Sequence, residues 1–380
     1  MHPLTLHRFF LRFALAGANV FAWVFLFHLY YLREQNLDFA LAQTALLYAL
    51  SSVITCLVTP LTARLVRNGI RRALVYALLC IAGAFVLLGA AFEGFWSAEH
   101  TMSAIVAFAV LLGIYRALYW VPYEVASAVE GKWRDMLGEL SIATAPALAG
   151  IGIAFSPLAA IWIFYIAAGL VVLSALPLFA VADVYEGFSW SYRRTFHELL
   201  SPANRPYVTH ALLEGMGGAA LLLFWPLAVF LLLGWSYGML GVVLSIAFFV
   251  AILLRAPIRT LMRSAGFNKS RLLTTVFATT PWLFRLTVLS PLSIVAVDSY
   301  FYTTTPKRLG VDPFAFEQNA DGGSLIDEFT ALKEMALHLG RVAACVLAAL
   351  TAYAISTPAA FAAVFILAAL CSASLALSGR

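Results

Sequence analysis

The sequence predicts an all-α protein that crosses a membrane many times. Hydrophobic residues make up 63% of its 380 residues and charged residues only 11%, which is too little charge to cover the surface of a soluble domain of this size. Apolar stretches of roughly 17 to 25 residues, the length that spans a bilayer as a helix, recur along the whole chain. Basic residues collect in alternate connections between these stretches. Together these observations indicate a polytopic membrane protein of about twelve helices.

The predicted helices follow from the apolar stretches taken in chain order. They are 10–32, 39–63, 70–92, 102–125, 138–157, 160–183, 206–233, 236–255, 270–288, 290–305, 330–355 and 358–377. Connections such as "SPLAA" at 156–160 and "STPAA" at 356–360 are so short that the helices they join must be antiparallel neighbours. A polar stretch divides the chain, so we expect an N-terminal six-helix bundle at 1–184, a central cytoplasmic linker at 185–204 and a C-terminal six-helix bundle at 205–380. Within the linker, "RTFHELL" is expected to form a short amphipathic helix.

The basic residues predict the orientation of the helices. If the N-terminus is cytoplasmic, most of the 24 lysines and arginines fall in cytoplasmic connections, and Arg33 is the one that falls in an outer connection. We therefore expect both termini in the cytoplasm and a location in a bacterial inner membrane. The net charge of +5 reflects this loop bias, so nucleic acid is not expected as a partner.

The two halves of the chain repeat one another. After the second predicted helix comes "PLTARLVRNGIRRALVYALL", and after the eighth comes "APIRTLMRSAGFNKSRLLTTVF". Each places a proline, spaced basic residues, a glycine and further basic residues before the next helix. A second echo pairs "IYRALYWVPYEV" in the fourth helix with "DSYFYTTTPKRLG" in the tenth. Such repeats are typical of secondary transporters, which bind their substrates between the two halves.

The helix count, the polar central connection and the paired basic loops resemble the major facilitator superfamily over essentially the whole chain. The signature of that family after its second helix contains Gly, Asp, Arg, Gly and a basic pair. This chain keeps Gly69, Arg71 and Arg72, but it has Pro60 and Arg64 at the places of the first Gly and the Asp. The departure affects the usual cytoplasmic latch of the family, which this signature forms.

The resemblance implies that the first, fourth, seventh and tenth helices line a central cavity. The polar and aromatic residues that this layout places there are the predicted substrate-binding residues: Asn19, His28, Arg116, Tyr119, Trp120, Tyr123, Asp298 and Tyr302. A charge inside hydrocarbon costs at least a few kcal/mol unless it is paired or hydrated. Arg116 is therefore expected either to bind an anionic substrate through its planar guanidinium or to form an ion pair with Asp298 or Glu214. The aromatic residues either shape a cavity for an amphipathic molecule or pack within the bundle.

Proton coupling is predicted for the seventh helix. His210 and Glu214 are four residues apart and share one face of that helix, and Asp298 is a third titratable candidate. Glutamate and histidine both titrate in a low-dielectric cavity, as proton coupling requires. The alternative is a local hydrogen-bonded pair near the cytoplasmic entrance.

A cytoplasmic gate is predicted from acids at matching places in the repeat. Glu139 lies near the start of the fifth predicted helix, and Glu334 lies near the start of the eleventh. The family layout implies crosswise ion pairs, of Glu139 with the loop after the eighth helix and of Glu334 with the loop after the second. The gate residues are Arg64, Arg67, Arg71, Glu139, Arg259, Arg263, Glu334, His338 and Arg341. In the alternative explanation, each acid is stabilised by the dipole at the start of its own helix.

The function predicted from these observations is proton-coupled secondary transport of a small organic solute by alternating access. Translocation of a lipid or amphiphile is one alternative, and a receptor or scaffold that has lost transport is another. The chain has no P-loop, Gly-x-Ser-x-Gly motif or zinc-ligand spacing, so neither an enzyme, a cofactor nor a metal is expected. The expected partners are a small-molecule substrate, amphipathic or anionic, and membrane lipid, and a monomer is expected. The four cysteines are scattered in apolar segments and are expected to be free thiols.

Overall fold

The computed structural model describes residues 3–93, 97–130, 136–156, 159–185, 187–264, 271–304 and 326–378. Each predicted membrane helix contains a helix of the structure within these ranges. The helices are α1 (Pro3–Glu34), α2 (Leu37–Thr62), α3 (Ile70–Phe92), α4 (Ala98–Glu130), α5 (Met136–Phe155), α6 (Ala159–Ala175), α7 (Tyr192–Leu200), α8 (Arg205–Ala219), α9 (Trp225–Leu232), α10 (Tyr237–Ser264), α11 (Arg271–Phe284), α12 (Pro291–Thr304), α13 (Ile326–Ala354) and α14 (Thr357–Ser378). The amphipathic helix expected in the linker is α7, and the Ser191 hydroxyl caps it by accepting from the Arg194 backbone amide.

Ten helical segments of the described ranges are long and apolar enough to cross a membrane. One of them, Pro202–Leu232, combines α8, a π-helical stretch at Ala220–Phe224 and α9. The helices α11 and α12 have 14 residues each, fewer than the roughly 20 that span a bilayer. The multi-pass membrane architecture is therefore confirmed, whereas the number of twelve spans stays a prediction.

The same packing partners recur in the two parts of the chain. In the first part, α2 packs against α4, α3 against α6, and α1 against α5 and α6. In the second part, α10 packs against α12, α11 against α14, and α8 against α13 and α14. When the membrane helices are counted in order, each contact of the second part matches one of the first. The two parts meet mainly where α2 packs against α13 and where α5 packs against α10.

The helices α5 and α10 approach so closely that only glycine fits between them. A Cβ atom on Gly241 would clash with the Pro146 carbonyl oxygen, and one on Gly150 would lie 2.7 Å from the Tyr237 carbonyl oxygen. Small residues of this kind let membrane helices pack backbone to backbone, where van der Waals contact supplies much of the attraction. The contact therefore brings the two parts of the chain together along a narrow seam.

Candidate solute-binding site and gates

Arg116 lies inside the protein, in the central part of α4. Only 4% of its surface is exposed. Its Nη1 donates a hydrogen bond to Ser51 Oγ at 3.3 Å, and its Cζ lies 5.2 Å from the centre of the Tyr48 ring. Both partners are on α2 and both are neutral. Among the described residues the guanidinium thus has hydrogen-bond and cation–π contacts but no carboxylate bound to it.

Asp298 is bound by a different arginine, which corrects the ion pair predicted between Asp298 and Arg116. Asp298 is 1% exposed, and its Oδ1 accepts from Arg285 Nη2 while its Oδ2 accepts from Trp225 Nε1, both at 2.9 Å. Arg285 directly follows α11, next to α12, so it reaches Asp298 within the second part of the chain. The pair is a buried, charge-assisted contact of that part. A role of Asp298 in substrate binding or proton coupling stays a prediction.

Three aromatic rings surround the guanidinium of Arg285. Its Cζ lies between 4.3 and 4.9 Å from the centres of the rings of Trp225, Trp282 and Phe301. Sequence reasoning missed this residue because it stands near the end of a predicted helix, where an arginine normally reaches water. The available signal was an ionisable side chain inside an apolar stretch, which calls for a partner.

Several buried polar atoms on α1, α2 and α4 have no hydrogen-bonding partner among the described residues. They are Asn19 Oδ1, Trp23 Nε1, Tyr48 Oη, Ser52 Oγ and Trp120 Nε1. The rings of Trp23 and Tyr48 meet edge to face at 4.8 Å, and the Tyr48 ring lies against the Arg116 guanidinium. Trp120 follows Arg116 by one turn of α4, so the two residues are on the same side of that helix. Since buried polar atoms are nearly always hydrogen-bonded, this region is suited to binding a polar molecule.

A second group of buried charged side chains lies on α13, which packs against both α2 and α4. Arg341 Nη1 is 3.4 Å from His338 Nε2, and His338 Nε2 is 3.9 Å from Glu334 Oε2. The helix α4, which carries Arg116, packs against α13. The two parts of the chain therefore contribute charged residues to one buried junction. We call this region, together with the polar atoms beside Arg116, the central junction.

This location corrects the predicted position of the α13 residues in a hydrated gate. Glu334 is 1% exposed, and His338 and Arg341 are fully buried. The physical reason is that α13 begins at Ile326 instead of 330, so Glu334 lies more than two turns inside the helix and not at its start.

The remaining predicted aromatic residues pack against other side chains. Tyr119 stacks on Tyr123 with ring centres 5.2 Å apart, and its hydroxyl is 3.0 Å from His7 Nε2. Tyr302 packs against Phe248 at 5.0 Å. Contact of these residues with a solute stays a prediction.

His28 lies in an aromatic cluster at the predicted outer side, where α1 meets the turn between α9 and α10. Its Nδ1 is hydrogen-bonded to the Tyr237 hydroxyl at 2.6 Å, and Phe25 stacks on Tyr237 at 4.4 Å. Trp235 has a φ of 65°, a left-handed conformation that is uncommon for a bulky residue, and its ring is 5.2 Å from that of His28. The cluster joins the two parts of the chain at this end, so His28 takes part in an interhelical contact at the predicted outer side.

His210 and Glu214 form the pair expected from their spacing. His210 Nε2 is 3.3 Å from Glu214 Oε1, and the His210 side chain is 41% exposed. Glu214 therefore has a local partner on α8, which corrects the predicted pair of Glu214 with Arg116. The moderate exposure of both side chains allows water to reach them.

Glu139 makes a crosswise ion pair with α10, but with a different arginine from those predicted. Its two carboxylate oxygens accept from Arg255 Nη1 and Nη2 at 2.9 and 3.1 Å. Arg255 precedes the predicted Arg259 by one turn, and the side chain of Arg263 lies outside the described residues. The bidentate geometry links the predicted cytoplasmic ends of α5 and α10.

The arginines after α2 bind the linker backbone. Arg64 and Arg67 donate to the carbonyl oxygens of Trp190 and Phe188 in the linker, and Arg71 donates to that of Val181, just before the linker, at 2.6 Å. These contacts correct the predicted pairing of the three arginines with Glu334, which is buried two turns away from the end of α13. Carbonyl oxygens of an extended segment have no internal partners, so guanidinium groups satisfy them.

The acid at the start of α13 that meets the linker is Glu328. Its Oε1 accepts from the backbone amide and the hydroxyl of Ser189, at 2.8 and 2.6 Å. On the other side, the backbone amide of Arg71 donates to Asp183 Oδ1 at 3.1 Å, beside Gly69 with its φ of 99°. The stretches 181–185 and 187–191, at the start of the linker, are thus held by the connection after α2 and by α13. We call these two stretches the linker strap.

Solved structures that share this arrangement of helices include several transporters. A mutant of the nucleoside transporter NupG superposes with a TM-score of 0.60 at 13% identity, covering 99% of this chain and 97% of that one. A D-xylose-proton symporter matches with a TM-score of 0.60 at 13% identity, covering 97% of this chain and 95% of that one. A mutant of the peptide transporter POT matches with a TM-score of 0.59 at 13% identity, covering 99% and 92%. The sequence matches no protein-family profile and no curated protein.

The chain is therefore a multi-pass membrane protein with the fold of a transporter. The chain shares this fold with these transporters over almost its whole length, in agreement with the resemblance that the sequence indicates. At 13% identity the likeness extends to the fold and not to the cargo.

Proposed function

We propose that the protein is a secondary active transporter that moves a small organic solute across a bacterial inner membrane by alternating access. The observation that carries the proposal is the central junction, where a buried arginine with neutral partners and several unpartnered polar atoms lie at the contact of α2, α4 and α13. Transporters of this repeat architecture bind near the bilayer midplane between their halves. In this proposal the halves are bundles at 1–184 and 205–380 with the linker at 185–204, and both termini are cytoplasmic.

The proton path belongs to α8 in this proposal. Glu214 carries the proton, and His210 adjusts how readily Glu214 binds it, because the two groups are 3.3 Å apart and partly exposed. Burying a charged carboxylate costs more free energy than burying a neutral one. Protonation of Glu214 would therefore change the relative free energies of two conformations that bury this face of α8 to different extents. Uptake would then follow the pH gradient.

The two ends of the pathway are closed by contacts between the bundles. On the cytoplasmic side these are the Glu139–Arg255 pair and the linker strap, which lies where the family has its latch and where this sequence keeps the latch signature only in part. On the outer side the contact is the aromatic cluster of Phe25, His28, Trp235 and Tyr237. Alternating access requires that these closures open in turn.

Transport is tested with purified protein in proteoliposomes. Nucleosides, sugars, peptides and organic acids are first screened for ligand-induced thermal stabilisation, and a compound that stabilises the protein is then tested for counterflow. Counterflow that depends on Arg116 supports the proposal. Tight binding without counterflow would contradict it and favour a receptor.

One observation favours a second candidate, the translocation of an amphiphile. A cavity of about 380 Å³ lies at the seam between the bundles, beside the aromatic cluster. Its wall is almost entirely apolar, and His28 and Tyr237 belong both to this wall and to the aromatic cluster. The lining residues are Phe25, His28, Leu29, Leu32, Phe92, Ile153 and Tyr237. A scramblase assay with headgroup-labelled lipid separates the candidates. Faster flipping than in empty liposomes favours the amphiphile, and an unchanged rate favours the solute.

A further inference from the structure

The surroundings of Arg116 indicate the charge of the solute. The guanidinium is almost fully buried, and its described contacts are the Ser51 hydroxyl and the Tyr48 ring, neither of which carries a charge. A buried charge is costly unless a counter-charge or several hydrogen bonds compensate it. A solute that brings a negative charge would supply this compensation during its passage.

The unpartnered polar atoms beside Arg116 are mostly donors. Trp23 and Trp120 each have an indole N–H, which can only donate, and the Tyr48 hydroxyl can donate as well. All three side chains are at least nine-tenths buried. Unpartnered donors on the helices α1, α2 and α4 match the acceptor oxygens of an anion, whereas a cation would leave them unsatisfied.

The walls of the same region are aromatic. The Trp23 ring lies 4.8 Å from that of Tyr48 and 5.7 Å from that of Phe108, and Trp120 meets Tyr119 edge to face at 5.0 Å. Aromatic faces and edges favour contact with a flat, unsaturated body over an aliphatic polyol. The region therefore combines a cation, donors and flat apolar surfaces.

We infer that the substrate is an organic anion with a flat, unsaturated body. Its carboxylate or phosphate binds Arg116 and the donors of Trp23, Tyr48 and Trp120, and its body lies against the aromatic rings. This inference deepens the proposed function and rests on it, because it assigns the cargo class of the same central junction.

The test measures binding to the purified full-length protein in lipid nanodiscs. The probes are benzoate and phenyl phosphate, their neutral counterpart benzamide, and acetate and inorganic phosphate as anions without a ring. We expect benzoate or phenyl phosphate to bind more tightly than benzamide and the small anions. Arg116→Gln should weaken this binding by about 30-fold or more, since breaking a buried charge pair costs about 2–5 kcal/mol. The matched control Arg33→Gln removes an exposed arginine and should leave the affinity unchanged.

A second variant keeps the test decisive if Arg116→Gln does not fold. Trp120→Phe keeps a ring and removes the N–H donor, so it should weaken binding of the ring anions several-fold and leave the affinity of benzamide unchanged. The inference is overturned if benzamide binds as tightly as the anions, if Arg116→Gln and Trp120→Phe bind the anions normally, or if none of the ring anions binds. Counterflow of a neutral solute in the same preparation would then show that transport stands and only the anion assignment fails.

Discussion

Replacing Asp298 by asparagine should destabilise the protein. The substitution keeps the size of the side chain and removes the charge that Arg285 binds at 2.9 Å, where both side chains are almost fully buried. Removing one partner of a buried ion pair costs about 3–5 kcal/mol because the other charge stays out of water. The amide oxygen can still accept one hydrogen bond, and the rings around Arg285 remain. We therefore expect a loss near the lower end, about 3 kcal/mol.

The assay is the free energy of unfolding of the purified protein in lipid bicelles. The matched control is Glu99→Gln, which neutralises an exposed acid and should change the free energy of unfolding by less than about 0.5 kcal/mol. The double variant Arg285→Met with Asp298→Leu should recover most of the loss, because it leaves no charge buried. A loss below about 1 kcal/mol in Asp298→Asn, together with abolished transport, would refute this reasoning. Asp298 would then act on the solute or the proton, as the sequence alone suggests.

Three further predictions concern transport. Arg116→Ala should reduce counterflow to the background of empty liposomes, and Arg116→Lys should rescue it poorly because the planar fork is lost; normal counterflow in Arg116→Ala would remove the arginine from the site. Glu214→Gln should abolish uptake driven by a pH gradient and leave solute exchange intact, since exchange needs no net proton movement; gradient-driven uptake at the normal rate would reject Glu214 as the proton carrier. Glu139→Lys should break the bidentate pair with Arg255, worth about 1 kcal/mol at its partial exposure, and shift the population of cytoplasmically open molecules by about fivefold. Electron–electron resonance distances between spin labels on the predicted cytoplasmic ends of α5 and α10 measure this shift, and the charge swap with Arg255→Glu should reverse it. An unchanged distance distribution in Glu139→Lys would exclude the pair as a gate.

Much of the fold could be predicted because a membrane helix is recognisable from the length and hydropathy of its own segment. A stretch long and apolar enough to cross a bilayer is a property of one segment, independent of its neighbours. The basic loops and the internal repeat extend this to the arrangement of helices, which matching contacts such as α2 with α4 and α10 with α12 now show. Helix ends were less predictable: α13 starts four residues earlier than its hydropathy indicates, because Asp327 and Glu328 lie in its first turn and lower the apolar signal there.

The sequence by itself determined that this chain is a bundle of membrane helices built from a repeat, that charged residues lie inside it, and that acids and arginines meet at its ends. Only the tertiary structure decided which of them meet. Asp298 binds Arg285 and not Arg116, Glu139 binds Arg255 and not its neighbour one turn on, and Arg67 binds a linker carbonyl instead of Glu334. Which partner a side chain binds depends on how far each helix is rotated about its axis and shifted along it relative to its neighbour. Hydropathy and charge patterns do not determine this rotation or this shift.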